Sequence, residues 1–382
     1  MSGTLLRLVC TAAVAAQVLL VPAPATAAPE PPAAQDRSVA ALLTDLQKLY
    51  REAERSTETF NATAEKLREG RAETARLNAG LARARLDLHA SRGDAGRLAR
   101  RQYQSSSGLS PYVRLLLARD PQHALDQGHV IGRLARDAAG TVDRLTGSEH
   151  RADGLARAAR KALNAQLALS ARQKKERDDV EGRLAEVEEL LASLSADRLA
   201  ALAALEQDRT AGAQREFEDS GALGDARTPT GEGDRAVRYA VRQLGKPYEW
   251  GAAGPAAYDC SGLTSQAWDR AGTPIPRTSQ EQWARLPHVP LDELRPGDLV
   301  VYFPDATHVA LYLGDGKVVQ APRPGARVKV SPIAANPVLG AVRPDPGGEP
   351  LARYSPPRLP PEAAQGPDKG YASPSGPPPT SL

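Results

Sequence analysis

The chain has 382 residues, with 49 lysines and arginines against 46 aspartates and glutamates, a formal charge of +3. That length suggests two or three domains of roughly 100–200 residues each, and so small a net charge argues against a dedicated nucleic-acid binder. Aromatic residues make up only 4% of the chain, and five of the sixteen precede residue 231. Large rings supply much of a compact core, so the second half is expected to be globular and the first elongated.

The chain begins with Arg7 and an apolar run from Leu8 to Val21, followed by Ala25-Thr26-Ala27. The run is shorter than the roughly 20 residues that span a bilayer. With its small-x-small site it reads as a secretory signal peptide, residues 1–27, cut near Ala27. Val9 and the early position of Cys10 argue against a lipoprotein. The mature protein is then expected outside the cytoplasm, secreted or in the cell wall, with Cys260 as its single thiol. A lone thiol in an exported protein is either a small buried hydrophobe or a reactive nucleophile.

Residues 28–35 are rich in Pro and Ala. From Leu42 a 3-4 spacing runs through Leu46, Leu49, Ala53, Ser56, Phe60, Thr63, Leu67, Gly70, Thr74, Leu77, Leu81, Ala84 and Leu88 to Leu98. That is a coiled-coil seam with a weak middle, and it predicts a helix from about 36 to 105, roughly 100 Å long. The pattern stops at Ser105–Gly108, and Pro111 and Pro121 bracket a short apolar piece, Tyr112–Leu117. Helical periodicity resumes near Leu125 and continues to Phe217, with a clear seam at Val180, Leu184, Val187, Leu191 and Leu194. The expectation for 36–218 is an antiparallel helical hairpin with a small lobe at its tip; a parallel dimer of long helices fits the same periodicity. The charge-dense faces are read as solvated surface.

Residues 219–233 read as a linker. Residues 344–382, with twelve prolines and no periodic apolar pattern, read as a disordered tail. Between them, 234–343 is expected to fold. A short helix is predicted from Asp234 to Leu244, stopped by Gly245, and a second from Cys260 to Ala271, stopped by Gly272, with Leu263, Ala267 and Trp268 on its buried face. DLVVYF, HVALYLG, KVVQA and RVKVSPI then read as strands, two of them joined by the hairpin Gly314-Asp315-Gly316. Helices followed by strands indicate an α+β domain with an antiparallel sheet.

Cys260 falls at the predicted start of a helix, between Asp259 and Ser261-Gly262. Unpaired N–H groups and the helix dipole favour a thiolate there, and the same N–H groups can bind an oxyanion. The apolar stripe begins only at Leu263, which favours a nucleophile over a core residue. Such a nucleophile needs a base. His288 lies in a proline-flanked loop and reads as surface, whereas His308 opens a strand, which holds an imidazole better than a loop does. Gln320, across the hairpin, could accept a hydrogen bond from the imidazole.

Four blocks together resemble the NlpC/p-sixty family in order and spacing: Gly245-Lys246-Pro247-Tyr248-Glu249-Trp250-Gly251, Asp259-Cys260-Ser261-Gly262-Leu263, Pro296-Gly297-Asp298-Leu299 and His308-Val309-Ala310-Leu311-Tyr312-Leu313-Gly314. These are papain-like cysteine peptidases of bacterial peptidoglycan. The resemblance covers about 110 residues. It implies hydrolysis of stem-peptide bonds, usually between γ-D-glutamyl and a diamino acid, without a cofactor. Carried over by position, Cys260 is the nucleophile, His308 the base and Gln320 the third polar residue. Tyr248 assists the oxyanion, and Asp259, Ser261 and the Arg277-Thr278-Ser279 stretch are substrate-contacting positions. Trp250-Gly251-Ala252 departs from the pattern, where many members have a second glycine.

Three other readings fit less well. A zinc enzyme needs three or four convergent ligands, and this domain offers one cysteine and two separated histidines. A non-catalytic coiled-coil scaffold with a wall-binding module leaves the nucleophile and base unexplained. A papain-like amidase or transpeptidase would use the same acyl-enzyme. The expectation is a secreted peptidoglycan endopeptidase acting on stem peptides, without metal or nucleic acid. Its coiled coil either docks a membrane or division-complex protein or covers the active site until released.

Overall fold

The computed structural model describes residues 37–105, 113, 120–361 and 363. The signal peptide, all of the tip lobe except Val113 and the end of the proline-rich tail lie outside these residues.

Helix α1 (Val39–Ser105) runs for 67 residues and packs against α2 (Pro121–Ala192). The two are antiparallel: Glu52 pairs with Arg183 near one end, and Arg92 with Glu149 towards the other. Asp120 caps α2, its side chain accepting from the His123 N–H, and Pro121 occupies the first turn, where no N–H is needed. The periodicity through 217 does not reveal a break at Ser193–Ser195. There Ser195 caps a new helix, α3 (Ala196–Asp219), by accepting from the Arg198 N–H. The third helix folds back on the hairpin's base, where Leu42, Leu43, Leu194 and Leu202 form one cluster. Leu46, Tyr50, Val187 and Leu191 form the next.

Thr230 caps α4 (Gly231–Val241), and Asp259 caps α5 (Cys260–Ala271). Helix α5 ends at Gly272, whose φ of 97° is the left-handed conformation that glycine adopts without strain. A short helix α6 (Ser279–Arg285) follows. The sheet contains β1 (His288–Val289), β2 (Leu299–Tyr302), β3 (His308–Gly314), β4 (Lys317–Gln320), β5 (Lys329–Pro332) and β6 (Val338–Val342), in the order β1-β6-β2-β3-β4-β5. Every pairing is antiparallel.

The sheet is covered on both faces, which is why its central strands read as continuous apolar runs rather than alternating ones. Leu299, Val301, Val309, Leu311 and Val319 pack on Ala236, Val237, Ala240, Leu263, Ala267 and Trp268 of α4 and α5. Val300, Tyr302, Ala310, Tyr312, Val318 and Ile333 face the other way, against Phe217 and Leu223 at and beyond the end of α3. The domain is α+β and papain-like, preceded by a long all-α hairpin.

The tail differs from the expectation of disorder over its first part. Asp345 forms a buried ion pair with Arg295. Leu351 donates its N–H to the Pro229 carbonyl and accepts from the Thr228 hydroxyl. Val330 of the edge strand β5 donates to the Ala363 carbonyl. Over its described residues the proline-rich stretch forms no helix or strand of its own, and it lies as an extended strap whose carbonyls accept from its neighbours.

Candidate active site

The first residue of α5 is Cys260, 2% exposed. The cap that starts the helix also shapes the site. Asp259 Oδ1 accepts from the Gly262 N–H at 2.6 Å. A side chain at Gly262 would run into the Ala252 carbonyl oxygen, so the Asp-Cys-Ser-Gly order reflects packing as well as chemistry. Arg277 grips Asp259 with both nitrogens, at 3.0 and 2.7 Å, and donates to Ser261 Oγ at 2.8 Å. Burial opposes the Arg277 charge, but the charge and hydrogen bonds of Asp259 outweigh it and raise its pKa. Tyr248 is buried in the core cluster that contains Cys260, and burial, then the neighbouring thiol, push its hydroxyl pKa well up.

Opposite, His308 opens β3 and is fully buried. Its Nε2 lies 2.7 Å from Gln320 Oε1. Because an amide oxygen only accepts, that ring nitrogen carries the proton. The β3–β4 register pairs Leu311 with Val319 and Tyr312 with Val318. Gln320 is therefore a diagonal neighbour of His308, within reach of a long side chain. Gln320 Nε2 in turn donates to Ser331 Oγ at 2.7 Å.

Helix α1 supplies side chains that the sequence reading left as solvated surface. Glu54, Glu58 and Asn61 follow an i, i+4, i+7 spacing, one face of a helix, and all three are buried. Glu58 accepts from Ser261 Oγ at 2.7 Å and from the Ser279 N–H at 2.8 Å, and its Oε1 is 3.8 Å from the Cys260 sulfur. Glu54 Oε1 lies 3.3 Å from His308 Nδ1, an ion-pair distance without the alignment of a hydrogen bond. Asn61 donates to Asp259 Oδ2 at 3.1 Å. Around this face, Phe60 meets Trp250 edge-on, and Arg55 pairs with Asp305. The two hints available in the sequence were the weak seam at Ser56 and Thr63 and this regular polar spacing.

The electrostatics follow. Burial and the Asp259 charge push Glu58 up to about 7, against the opposing pull of Arg277. Burial, then Glu58, Asp259 and Glu54, raise the Cys260 thiol well above its ordinary pKa. This corrects the expectation of a helix-activated thiolate: with α1 seated, desolvation and three carboxylates outweigh the helix terminus. Burial opposes a charged His308, but the Glu54 charge and the Gln320 hydrogen bond raise its pKa.

The structure thus brings Cys260, Asp259, Ser261, Ser279, His308 and Glu58 into one region under α1. Tyr248 packs beside the thiol without a hydrogen bond to it. His288, read as surface, is exposed and lies against Trp283. Among the described residues no group of three or more His, Cys, Asp or Glu is arranged to hold a metal ion.

A cysteine on a helix packed against an antiparallel sheet that carries a histidine is a papain-like arrangement. Residues 245–340 match the NlpC/P60 family, and the C-terminal domain is a member of it. The chain is 48% identical over 89 residues to a probable endopeptidase of Corynebacterium glutamicum, covering 23% of this chain and 43% of that protein. It is 38% identical over 128 residues to peptidoglycan endopeptidase RipB of Mycobacterium tuberculosis, covering 29% of this chain and 53% of that protein. The matches span less than two thirds of either relative. Among solved structures, the NlpC/p60 domain of peptidoglycan hydrolase SagA superposes with a TM-score of 0.28 at 31% identity, covering 29% of this chain and 97% of that one.

Proposed function

We propose that the chain is an exported peptidoglycan hydrolase of the cysteine type, held inactive by its own helix α1. Cys260 attacks the scissile carbonyl as a thiolate. The carbon–sulfur bond forms as the amide carbon–nitrogen bond breaks, and His308 passes a proton to the leaving amine. His308 then takes a proton from the water that releases the acyl-enzyme. The backbone N–H of Cys260, with help from Tyr248, stabilises the oxyanion. The carrying observation is that one face of α1 reaches both halves of this pair, Glu54 at His308 and Glu58 beside Cys260.

Glu58 also supports a substrate. The Ser261 hydroxyl and the Ser279 N–H hold a carboxylate beside the sulfur, with Arg277 donating to Ser261. A γ-linked D-glutamyl residue keeps its α-carboxylate free, three carbons from the scissile carbonyl, so a stem peptide cut between γ-D-glutamate and a diamino acid carries a carboxylate that can reach the place Glu58 now fills. In this reading export rests on the N-terminal run, and the hairpin beyond the site is the part left to meet a membrane or division-complex protein.

The test is release of soluble peptides from purified peptidoglycan, read by mass spectrometry. The full chain is expected to be nearly silent, Glu54→Ala with Glu58→Ala active, and the addition of Cys260→Ala silent again. Cleavage that survives Cys260→Ala would sink the mechanism. A folded, opened protein that binds peptidoglycan and releases nothing would favour a binding module.

A further inference from the structure

Gln320 has two hydrogen-bonding ends, and only one faces the imidazole. The other belongs to Ser331, in the middle of β5. Gln320 pairs with Lys329 and Val318 with Ser331 across the β4–β5 ladder, so Ser331 is the diagonal neighbour of Gln320 on the same face of the sheet. Both are nearly buried, at 3% and 6% exposure, and the Gln320 Nε2 to Ser331 Oγ distance is 2.7 Å. Among the described residues, Ser331 Oγ is the acceptor for that amide nitrogen.

The geometry points to Ser331 as a positioning residue for the proposed cysteine chemistry. By hydrogen-bonding the far end of the amide, it anchors the Gln320 side chain where Oε1 holds the His308 Nε2 proton, which leaves Nδ1 as the basic nitrogen. A half-turn of an amide freed from this anchor would present an N–H to Nε2 and force the imidazole proton onto Nδ1, leaving no lone pair on the one ring nitrogen that Gln320 does not occupy. Without Ser331 the amide's –NH2 end is buried and unpaired, a state polar groups avoid by reorienting. Small losses of alignment at a reacting group are costly; a misplacement of about 1 Å can cost about a hundredfold in rate. The effect expected here is smaller, because Ser331 acts through two side chains.

This inference rests on His308 serving as the base, so the test has one arm that needs no activity. In the full chain labelled with nitrogen-15, the His308 ring signals are assigned by their loss in His308→Gln. The wild type is expected to show a single Nε2–H tautomer when neutral. Ser331→Ala is expected to show mixed tautomers and a lowered His308 pKa, and Ser331→Thr, which keeps the hydroxyl, the wild-type pattern. In the second arm, hydrolysis of a synthetic stem peptide with a γ-linked D-glutamate is followed in the Glu54→Ala, Glu58→Ala background. Ser331→Ala should lower kcat about tenfold with KM within about twofold and shift the pH profile, and Ser331→Thr should restore both. In a Gln320→Glu background, where either oxygen can accept from Nε2, the Ser331→Ala loss should shrink below about twofold. An unchanged tautomer and pH profile in Ser331→Ala would overturn the inference, as would the same tenfold loss beside Gln320→Glu. No hydrolysis in any variant would count against the proposed function, while the nitrogen-15 arm would still decide the role of Ser331.

Discussion

Two buried aspartates in the C-terminal domain are held by arginines, and they differ in who completes the arrangement. Asp298 accepts from the Arg295 N–H at 2.9 Å and from Arg343 at 2.9 and 2.7 Å. Asp345 binds the Arg295 side chain. Two carboxylates meet two guanidinium groups, all from one domain. Asp259 has Arg277, but Glu58 brings a second carboxylate to that single guanidinium, and Asn61 supplies an amide. The first network is closed on itself. The second is complete only when α1 is seated, and even then two carboxylates share one guanidinium; burial first, and then the Asp259 charge, push Glu58 up to about 7. A balanced network is part of the fold; an overcharged one that depends on a distant helix is a site with a removable occupant.

The largest effect should come from breaking the balanced network. Arg343→Ala leaves Asp298, 1% exposed, without two of its donors. Removing one partner of a buried pair costs about 3–5 kcal/mol, so thermal unfolding of the C-terminal domain should fall by roughly 10–30 °C. Glu58→Ala should leave that transition in place and act instead on access. Hydrogen bonds to a charged group are worth about 1.5–3 kcal/mol, and two are lost from the seated state only, so peptide release should rise by about a hundredfold or more. Glu58→Gln separates charge from shape. Its amide can still accept from the Ser279 N–H and donate to Ser261, while the repulsion from Asp259 disappears. It should close the site more tightly than wild type.

The same contrast predicts a pH dependence. Glu58 faces Asp259, Arg277, Ser261 and Ser279 of the C-terminal domain, with Cys260 and His308 beside them and Glu54 on its own helix. Its pKa is about 7 when seated, against an ordinary 4.5, so seating takes up a proton between those values. The stabilisation from this group is full below about pH 4.5, is lost as pH rises to about 7, and amounts to at most about 3 kcal/mol. The seated Cys260 and His308 are also raised, which gives the same sign at higher pH. Labelling of Cys260 by a thiol reagent should therefore speed up between pH 5 and 8 by more than thiolate formation alone explains. The excess should be much reduced in Glu58→Gln; an equal excess there would separate opening from Glu58.

What was legible in the sequence follows the range of the interactions. The central strands, the hairpin at Gly314–Gly316 and the helix from Cys260 to Ala271 are set by local patterns, and His308 and Gln320 are joined by a turn of three residues. Helix α6 was missed although Thr278 and Glu281 carry the sequence of a capping box, and Thr278 does cap it through the Glu281 N–H. Strand β6 was missed because Gly340 and Pro337 interrupt its pattern. The occupants of the site lay about two hundred residues away or more, in a helix already explained as a coiled coil. Nothing local distinguishes a glutamate facing water from one facing Ser261. The buried polar set at Glu54, Glu58 and Asn61 becomes informative only once the seam beside it is seen to be too weak to need that face.

The smallest expected effect tests whether the rim of the contact matters. Arg55 and Asp305 pair across the edge of the seated helix, with side chains 65% and 39% exposed. Exposed pairs contribute little and are screened by salt. Arg55→Ala should raise peptide release by less than about fivefold, and the difference from wild type should vanish at high salt. The gain in Glu58→Ala should persist there, because its contacts are buried. If instead Arg55→Ala opened the site as fully as Glu58→Ala, the rim pair would be the latch, and the carboxylates beneath it would merely fill space that the latch encloses. The burial of Glu54 and Glu58 against the exposure of Arg55 is the physical reason to expect the opposite ranking.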